Sequence, residues 1–157
     1  MLDNDNLPDY VRGAFVVNRR DLVVEWGHCD PAGIVFHPRF IEYFDWSCVA
    51  LVEAATGLSQ VGLKAEYGFA GIPIVDMDVK FLRRVSYDDH VQVYSTIASI
   101  GKSSFQIRHC LEKAGETAVE CRQTRVWCHL DPADGKSLKS HPIPADVVVK
   151  LTAPRDG

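Results

Sequence analysis

The chain has 157 residues, 46% of them hydrophobic and 24% charged, which fits one globular domain able to fold without staples and leaves little room for a second. Seventeen Lys and Arg against 21 Asp and Glu give a net charge of -4, with the basic residues scattered in ones and twos, which argues against a nucleic-acid surface; no apolar run approaches the roughly 20 residues of a membrane span. The acidic start MLDNDNLPDY is unlike a secretory signal, and the five cysteines, odd in number and without a C-x-x-C pair, read as reduced thiols rather than a disulfide frame or a zinc site, so the expected location is cytoplasmic and no metal is called for.

Residues 1–18 mix Asn, Asp, Pro and Gly with a short apolar patch and read as a loosely attached N-terminal extension, which leaves 19–157 as the folded domain. Leu22 to Trp26 is a short β-prone run, and Gly27-His28-Cys29-Asp30-Pro31-Ala32-Gly33 after it marks a sharp loop. From Pro38 the segment PRFIEYFDWSCVALVEAATG places Phe40, Ile41, Phe44, Cys48, Leu51 and Val52 at helical spacing. Pro38 suits the first turn and Gly57 the C-terminal stop. A short helix is expected from about Ser59 to Glu66, before the Gly68-Phe69-Ala70-Gly71 turn.

After Gly71 the texture changes. Ile72–Leu82, His90–Ile100, Ser104–Glu112 and Thr117–Leu130 are rich in Val, Ile, Thr and aromatic residues, and short turn signals between them favour antiparallel neighbours. Ile143-Pro144-Ala145-Asp146 begins a final helical turn through Leu151. One long helix and four consecutive strands predict an α+β domain in which an antiparallel sheet buries one face against the helix.

Chemistry concentrates between Asp30 and Asp45. Asp30 sits in the Pro/Gly loop, and His37 lies seven residues later at the mouth of the helix, where free backbone N–H groups and the positive dipole end gather. A carboxylate facing a carbonyl held by helix N-terminal donors is the minimum equipment for acyl transfer. Taken alone, the pattern also fits an Asp that merely orders its loop through an Asx-turn and a surface His near a helix cap. Cys29 reads as small filler rather than nucleophile, because the adjacent carboxylate of Asp30 disfavours its thiolate.

The run Asp30-Pro31-Ala32-Gly33-Ile34-Val35-Phe36-His37-Pro38-Arg39-Phe40 resembles the signature of hotdog-fold acyl-CoA thioesterases, in particular the 4-hydroxybenzoyl-CoA thioesterase family. The resemblance continues through Gly71-Ile72-Pro73-Ile74-Val75, Phe81, Ser86-Tyr87-Asp88-Asp89 and Lys102-Ser103-Ser104-Phe105 to Pro144-Ala145-Asp146, and covers about residues 20 to 150. It implies a hotdog fold, a long helix wrapped by a curved antiparallel sheet, and a homodimer or homotetramer with pockets at subunit interfaces.

The resemblance further implies hydrolysis of an acyl-CoA thioester with no cofactor. Asp30 would be the catalytic carboxylate and the His37 N–H the donor that polarises the carbonyl. The hydroxybenzoyl-CoA branch tends to carry Tyr at the position of His37, whereas the Tol–Pal-associated branch carries His. Asp45, eight residues beyond His37, matches an Asp that meets the ring hydroxyl of an aromatic acyl group, and Lys102, Ser103 and Lys139 fall where the family binds the CoA phosphates. The competing expectations are an aliphatic acyl-CoA substrate, a hotdog hydratase, and a noncatalytic acyl-CoA-binding protein; the hydratase signature spaces its Asp and His five residues apart, against seven here.

Overall fold

In the computed structural model, which describes residues 6–13 and 15–154, helix α1 (Pro38–Thr56) lies across a five-stranded sheet. Pro38 occupies the first turn of α1, where its missing N–H costs nothing. Gly57 closes the helix in the left-handed region at φ 70°, its N–H donating to the Glu53 carbonyl. Phe40, Phe44, Cys48, Leu51 and Val52 are buried as the spacing predicts, Tyr43 and Ser47 complete the stripe, and Ile41 stays half-exposed.

The strands are β1 (Val17–Val23), β2 (Ile74–Phe81), β3 (His90–Ile100), β4 (Ser104–Lys113) and β5 (Glu116–Val126), and they lie side by side in the order β1-β3-β4-β5-β2, every pair antiparallel. Strand alternation sends Val91, Val93, Ile97, Phe105, Ile107, Leu111, Val119 and Cys121 inward against α1 and its flanking segments. Helix α2 (Gln60–Tyr67), a small pair β6 (Cys128–Leu130) and β7 (Leu138–Ser140), and α3 (Ala145–Leu151) complete the fold. This is the helix-in-sheet arrangement that the resemblance implies, and no helix among the described residues is long and apolar enough to cross a membrane.

Three of the boundaries that differ from the sequence expectation do so for a hydrogen-bonding reason. The first strand runs Val17–Val23 rather than Leu22–Trp26: it begins inside the expected extension, where Val17 and Asn18 pair with Thr96 and Ser95, and ends early because Val24 turns to donate to the Asp89 carbonyl and Trp26–His28 form a 3-10 turn. Strand β2 begins at Ile74, after Pro73, which has no N–H to donate. The Thr117–Leu130 run breaks at Trp127, whose N–H leaves the ladder for the Ser103 carbonyl while its indole is fully buried. The N-terminal segment is also less loose than its composition implies, since Leu7 and Val11 are buried against Tyr94 and Cys110 on the sheet face turned away from α1.

Candidate active site

Asp30 lies at the tip of a hairpin that feeds α1. The Asp30 N–H donates to the Ile34 carbonyl at 2.9 Å and the Gly33 N–H returns to the Asp30 carbonyl, so Pro31 and Ala32 fill a tight turn. Gly33 adopts φ 75°, a region open to glycine at little cost. One carboxylate oxygen of Asp30 accepts from the Ala32 N–H at 2.8 Å. The loop-ordering Asx-turn is therefore present, and Oδ2 accepts no hydrogen bond from the described residues. The Phe36 N–H donates to the His28 carbonyl, which pins the second arm of the hairpin and sets where the helix starts.

His37 caps that start. Its own N–H has no hydrogen-bond partner among the described residues, Pro38 has no N–H, and its exposed ring packs edge-on against Phe36. His37 lines a cavity of about 440 Å³ together with Ile34, Phe40, Phe81, Leu82 and Arg84. The fold thus puts Asp30 and the free His37 donor on one hairpin at a helix N-terminus.

Asp45 faces a second cleft, of about 430 Å³, lined also by Trp46, Ile72, Pro73, Arg125 and Leu138. Its Oδ1 is ion-paired with the Arg125 guanidinium, and its side chain is 49% exposed against 6% for Arg125. Arg125 spends its other nitrogens on the Ile72 carbonyl (3.0 Å) and on Gln123 Oε1 (2.9 Å). Gln123 Oε1 also meets His109 Nε2 at 3.2 Å, and His109 Nδ1 lies 2.7 Å from the Ser95 hydroxyl. Because arginine only donates, the Gln123 atom must be the oxygen; His109 then carries its proton on Nε2 and accepts from Ser95 on Nδ1. Burial pushes the His109 imidazole down to about 3, so it is neutral, and Phe44 stacks on its ring.

Lys102 and Ser103 form the turn between β3 and β4. The Lys102 carbonyl accepts from the Ile143 N–H and the Ser103 carbonyl from the Trp127 N–H, while the His141 N–H donates to the Trp127 carbonyl. Lys139 on β7 pairs across the ladder with His129, so the three candidate phosphate contacts gather at one end of the molecule. Asp30 gathers with residues 85–89 at the other end of β3, ten residues away at about 3.3 Å each. A single chain does not bring these two groups together.

Sequence reasoning missed His28, whose Nδ1 lies 2.8 Å from the Tyr43 hydroxyl, and the buried chain from Ser95 to Arg125. The signal for the second was there: residues 105, 107, 109 and 111, and 121, 123 and 125, alternate inward, which places a His, a Gln and an Arg among core positions. The Cys29 thiol is raised by burial and by the Asp30 and Asp89 carboxylates, and its Sγ points to the Glu25 carbonyl, the environment of filler rather than of a nucleophile.

A family model described as the thioesterase-like superfamily matches residues 24–151. A 4-hydroxybenzoyl-CoA thioesterase of Pseudomonas sp. strain CBS-3 is 29% identical over 136 residues, spanning 80% of this chain and 90% of the relative. Among solved structures, a 4-hydroxybenzoyl-CoA thioesterase variant complexed with 4-hydroxybenzoyl-CoA superposes with a TM-score of 0.79 at 26% identity, over 87% of this chain and 99% of that one. A gentisyl-coenzyme A thioesterase shares the fold, with a TM-score of 0.73 at 24% identity over 86% and 100% of the two chains.

Proposed function

Because this chain belongs to the thioesterase-like superfamily and is an acyl-CoA thioesterase of the hotdog fold, we propose that its substrate is an aromatic, hydroxybenzoyl-like acyl-CoA, cleaved to the free acid and CoA. The observation that carries the hydrolytic reading is the hairpin that bears a carboxylate with a free oxygen and, seven residues on, an unpartnered helix N-terminal N–H. The His37 N–H, backed by the α1 dipole, stabilises the oxyanion that develops on the thioester carbonyl, an interaction stronger in the transition state than in the ground state. Asp30 either attacks the carbonyl carbon, expelling CoA thiolate and leaving an aspartyl anhydride that water then hydrolyses to the free acid, or draws a proton from the water that attacks the carbonyl, the departing thiolate taking up that proton.

Asp45 supplies the acyl preference. Its free oxygen opens into a cleft bounded by Trp46, Ile72 and Pro73, surfaces that suit an aromatic ring with a donor at its far end. Lys102, Ser103 and Lys139 offer cations and a hydroxyl to the CoA phosphates. Since these stand at the opposite end of the sheet from Asp30, the working site is built from two copies of the chain, as a homodimer or homotetramer. The free edge of β2, with Val75, Met77 and Phe81 exposed, supports such self-association. The five unpaired cysteines suit a reducing cytoplasm.

A thiol-release screen over hydroxybenzoyl-, benzoyl-, phenylacetyl- and straight-chain acyl-CoA esters tests the reading. Hydroxybenzoyl-CoA is expected to show the highest kcat/KM; a preference for straight-chain esters would overturn the aromatic assignment, and release of CoA from none would overturn the assigned reaction.

A further inference from the structure

A buried arginine on the inner face of a sheet demands an explanation, because taking a guanidinium out of water costs several kcal/mol unless every donor is matched. Here each of the three nitrogens donates a hydrogen bond. Nε meets Gln123, Nη1 meets the Ile72 carbonyl and Nη2 meets Asp45, and Gln123 is itself held by neutral His109, which Ser95 orients. The chain runs from β3 through β4 and β5 to α1 and ends at the wall of the Asp45 cleft. Two of its members, Ser95 and His109, are fully buried, and so is Gln123.

We propose that Arg125 is a positioning residue for acyl-group recognition: it fixes Asp45 by one oxygen, leaves Asp45 Oδ2 as a lone acceptor in the cleft, and so makes the site select acyl groups whose far end donates a hydrogen bond. The inference rests on Asp45 contacting the acyl group, as proposed above. It follows from where the donors point. Each Arg125 nitrogen already donates one hydrogen bond within the protein and the side chain is 6% exposed against 49% for Asp45, so the group the cleft offers a ligand is the carboxylate rather than the guanidinium. The exposed oxygen of Asp45 accepts only, so a phenolic hydroxyl fits it and a carboxylate in the same place meets a like charge. The rigid fork of arginine matters as well: lysine has a single ammonium, and it cannot reach Asp45, the Ile72 carbonyl and Gln123 Oε1 in the same planar geometry.

Two measurements test the inference, and the first needs no variant. The wild-type protein is assayed with 4-hydroxybenzoyl-, benzoyl- and 4-carboxybenzoyl-CoA. The kcat/KM is expected to rank hydroxybenzoyl above benzoyl, with carboxybenzoyl last. Carboxybenzoyl-CoA as the best substrate would show Arg125 engaging the ligand anion and would overturn the inference. The second measurement is the hydroxybenzoyl-to-benzoyl ratio of kcat/KM in Arg125→Met, Arg125→Lys and Asp45→Ala, each checked for folding by circular dichroism and for its thermal midpoint.

Asp45→Ala and Arg125→Met are both expected to lower the ratio by about tenfold or more, as for a lost hydrogen bond to a charged group. Arg125→Lys should recover part of the ratio. A general loss of stability would lower both substrates alike and leave their ratio where it was, and that result in a folded Arg125 variant, with the ratio still falling in Asp45→Ala, would overturn the role of Arg125 alone. An unchanged ratio in Asp45→Ala would remove Asp45 from the acyl site and the inference with it.

Discussion

The neutral His109 makes the stability of the fold depend on pH in a range where few other groups titrate. An ordinary imidazole takes up a proton at 6.5, whereas burial holds the folded-state value down to about 3. The unfolded chain therefore binds a proton in this window that the folded chain refuses, so stability is lost as pH falls from 6.5 toward 3. At pH 5 the unfolded form is favoured by about 1.5 pH units' worth of proton binding, or about 2 kcal/mol. His129, lowered by burial and by the adjacent His141, adds in the same direction. The depressed carboxylates act later: Asp89, where burial is outweighed by hydrogen bonds from Lys113 and the Ser86 N–H, and Asp146, bonded by Tyr67, lose their contribution only as pH falls below about 4. The assay is urea denaturation at pH 7.5, 6 and 5 at fixed protein concentration, on the wild type and on His109→Gln, whose amide can replace both hydrogen bonds but does not titrate. The wild type should lose about 2 kcal/mol more than the variant over that span. An equal loss in the two proteins would refute the reasoning, because the missing protonation would then lie elsewhere.

Asp30→Asn should fold as the wild type does and lose at least about a hundredfold in kcat, since the amide keeps the size and the hydrogen bond from Ala32 but neither attacks nor accepts a proton well; CoA release read with a thiol reagent decides it. His37→Tyr should retain most of its turnover, because the donor proposed above is the backbone N–H and the His37 ring makes no side-chain hydrogen bond among the described residues; a collapse of kcat with unchanged thermal midpoint would assign the imidazole an acid/base role. Lys102→Ala should raise KM for the CoA ester by several-fold to about tenfold while kcat stays level, and the same substitution should leave KM for a truncated acyl-pantetheine thioester unmoved.

How much of this was legible in the sequence depends on the range of the interaction that decides it. Helix α1 was readable because its start, its stripe and its stop are written in one contiguous segment: Pro38, the Phe40-to-Val52 spacing and Gly57. The hairpin that carries Asp30 was equally local, with Asp30, Ala32 and Gly33 closing on one another. Strand ends were read less well where a distant partner takes the N–H, as Asp89 does from Val24 and Ser103 from Trp127. The pairing of Asp45 with Arg125 joins residues 80 apart, and helical spacing around Asp45 carries no trace of it. Asp45 was thus placed on the correct element without its partner, and the separation of Lys102 from Asp30 along β3 became visible only once the strands were paired.

The buried Leu7 and Val11 turn the amino terminus into a third layer behind the sheet. Burying two such side chains is worth about 1.5–3 kcal/mol each, so a neighbour stacking on the back of β3 and β4 must first peel away residues 7–11 at a cost comparable to a modest interface contact. The segment thus covers the back of the sheet around Tyr94 and Cys110, as α1 covers the front. The proposed self-association would thereby be steered toward the β2 edge and the α1 side, and a bulky fusion joined ahead of Leu7 would crowd the covered back, leaving the two clefts on the other side free.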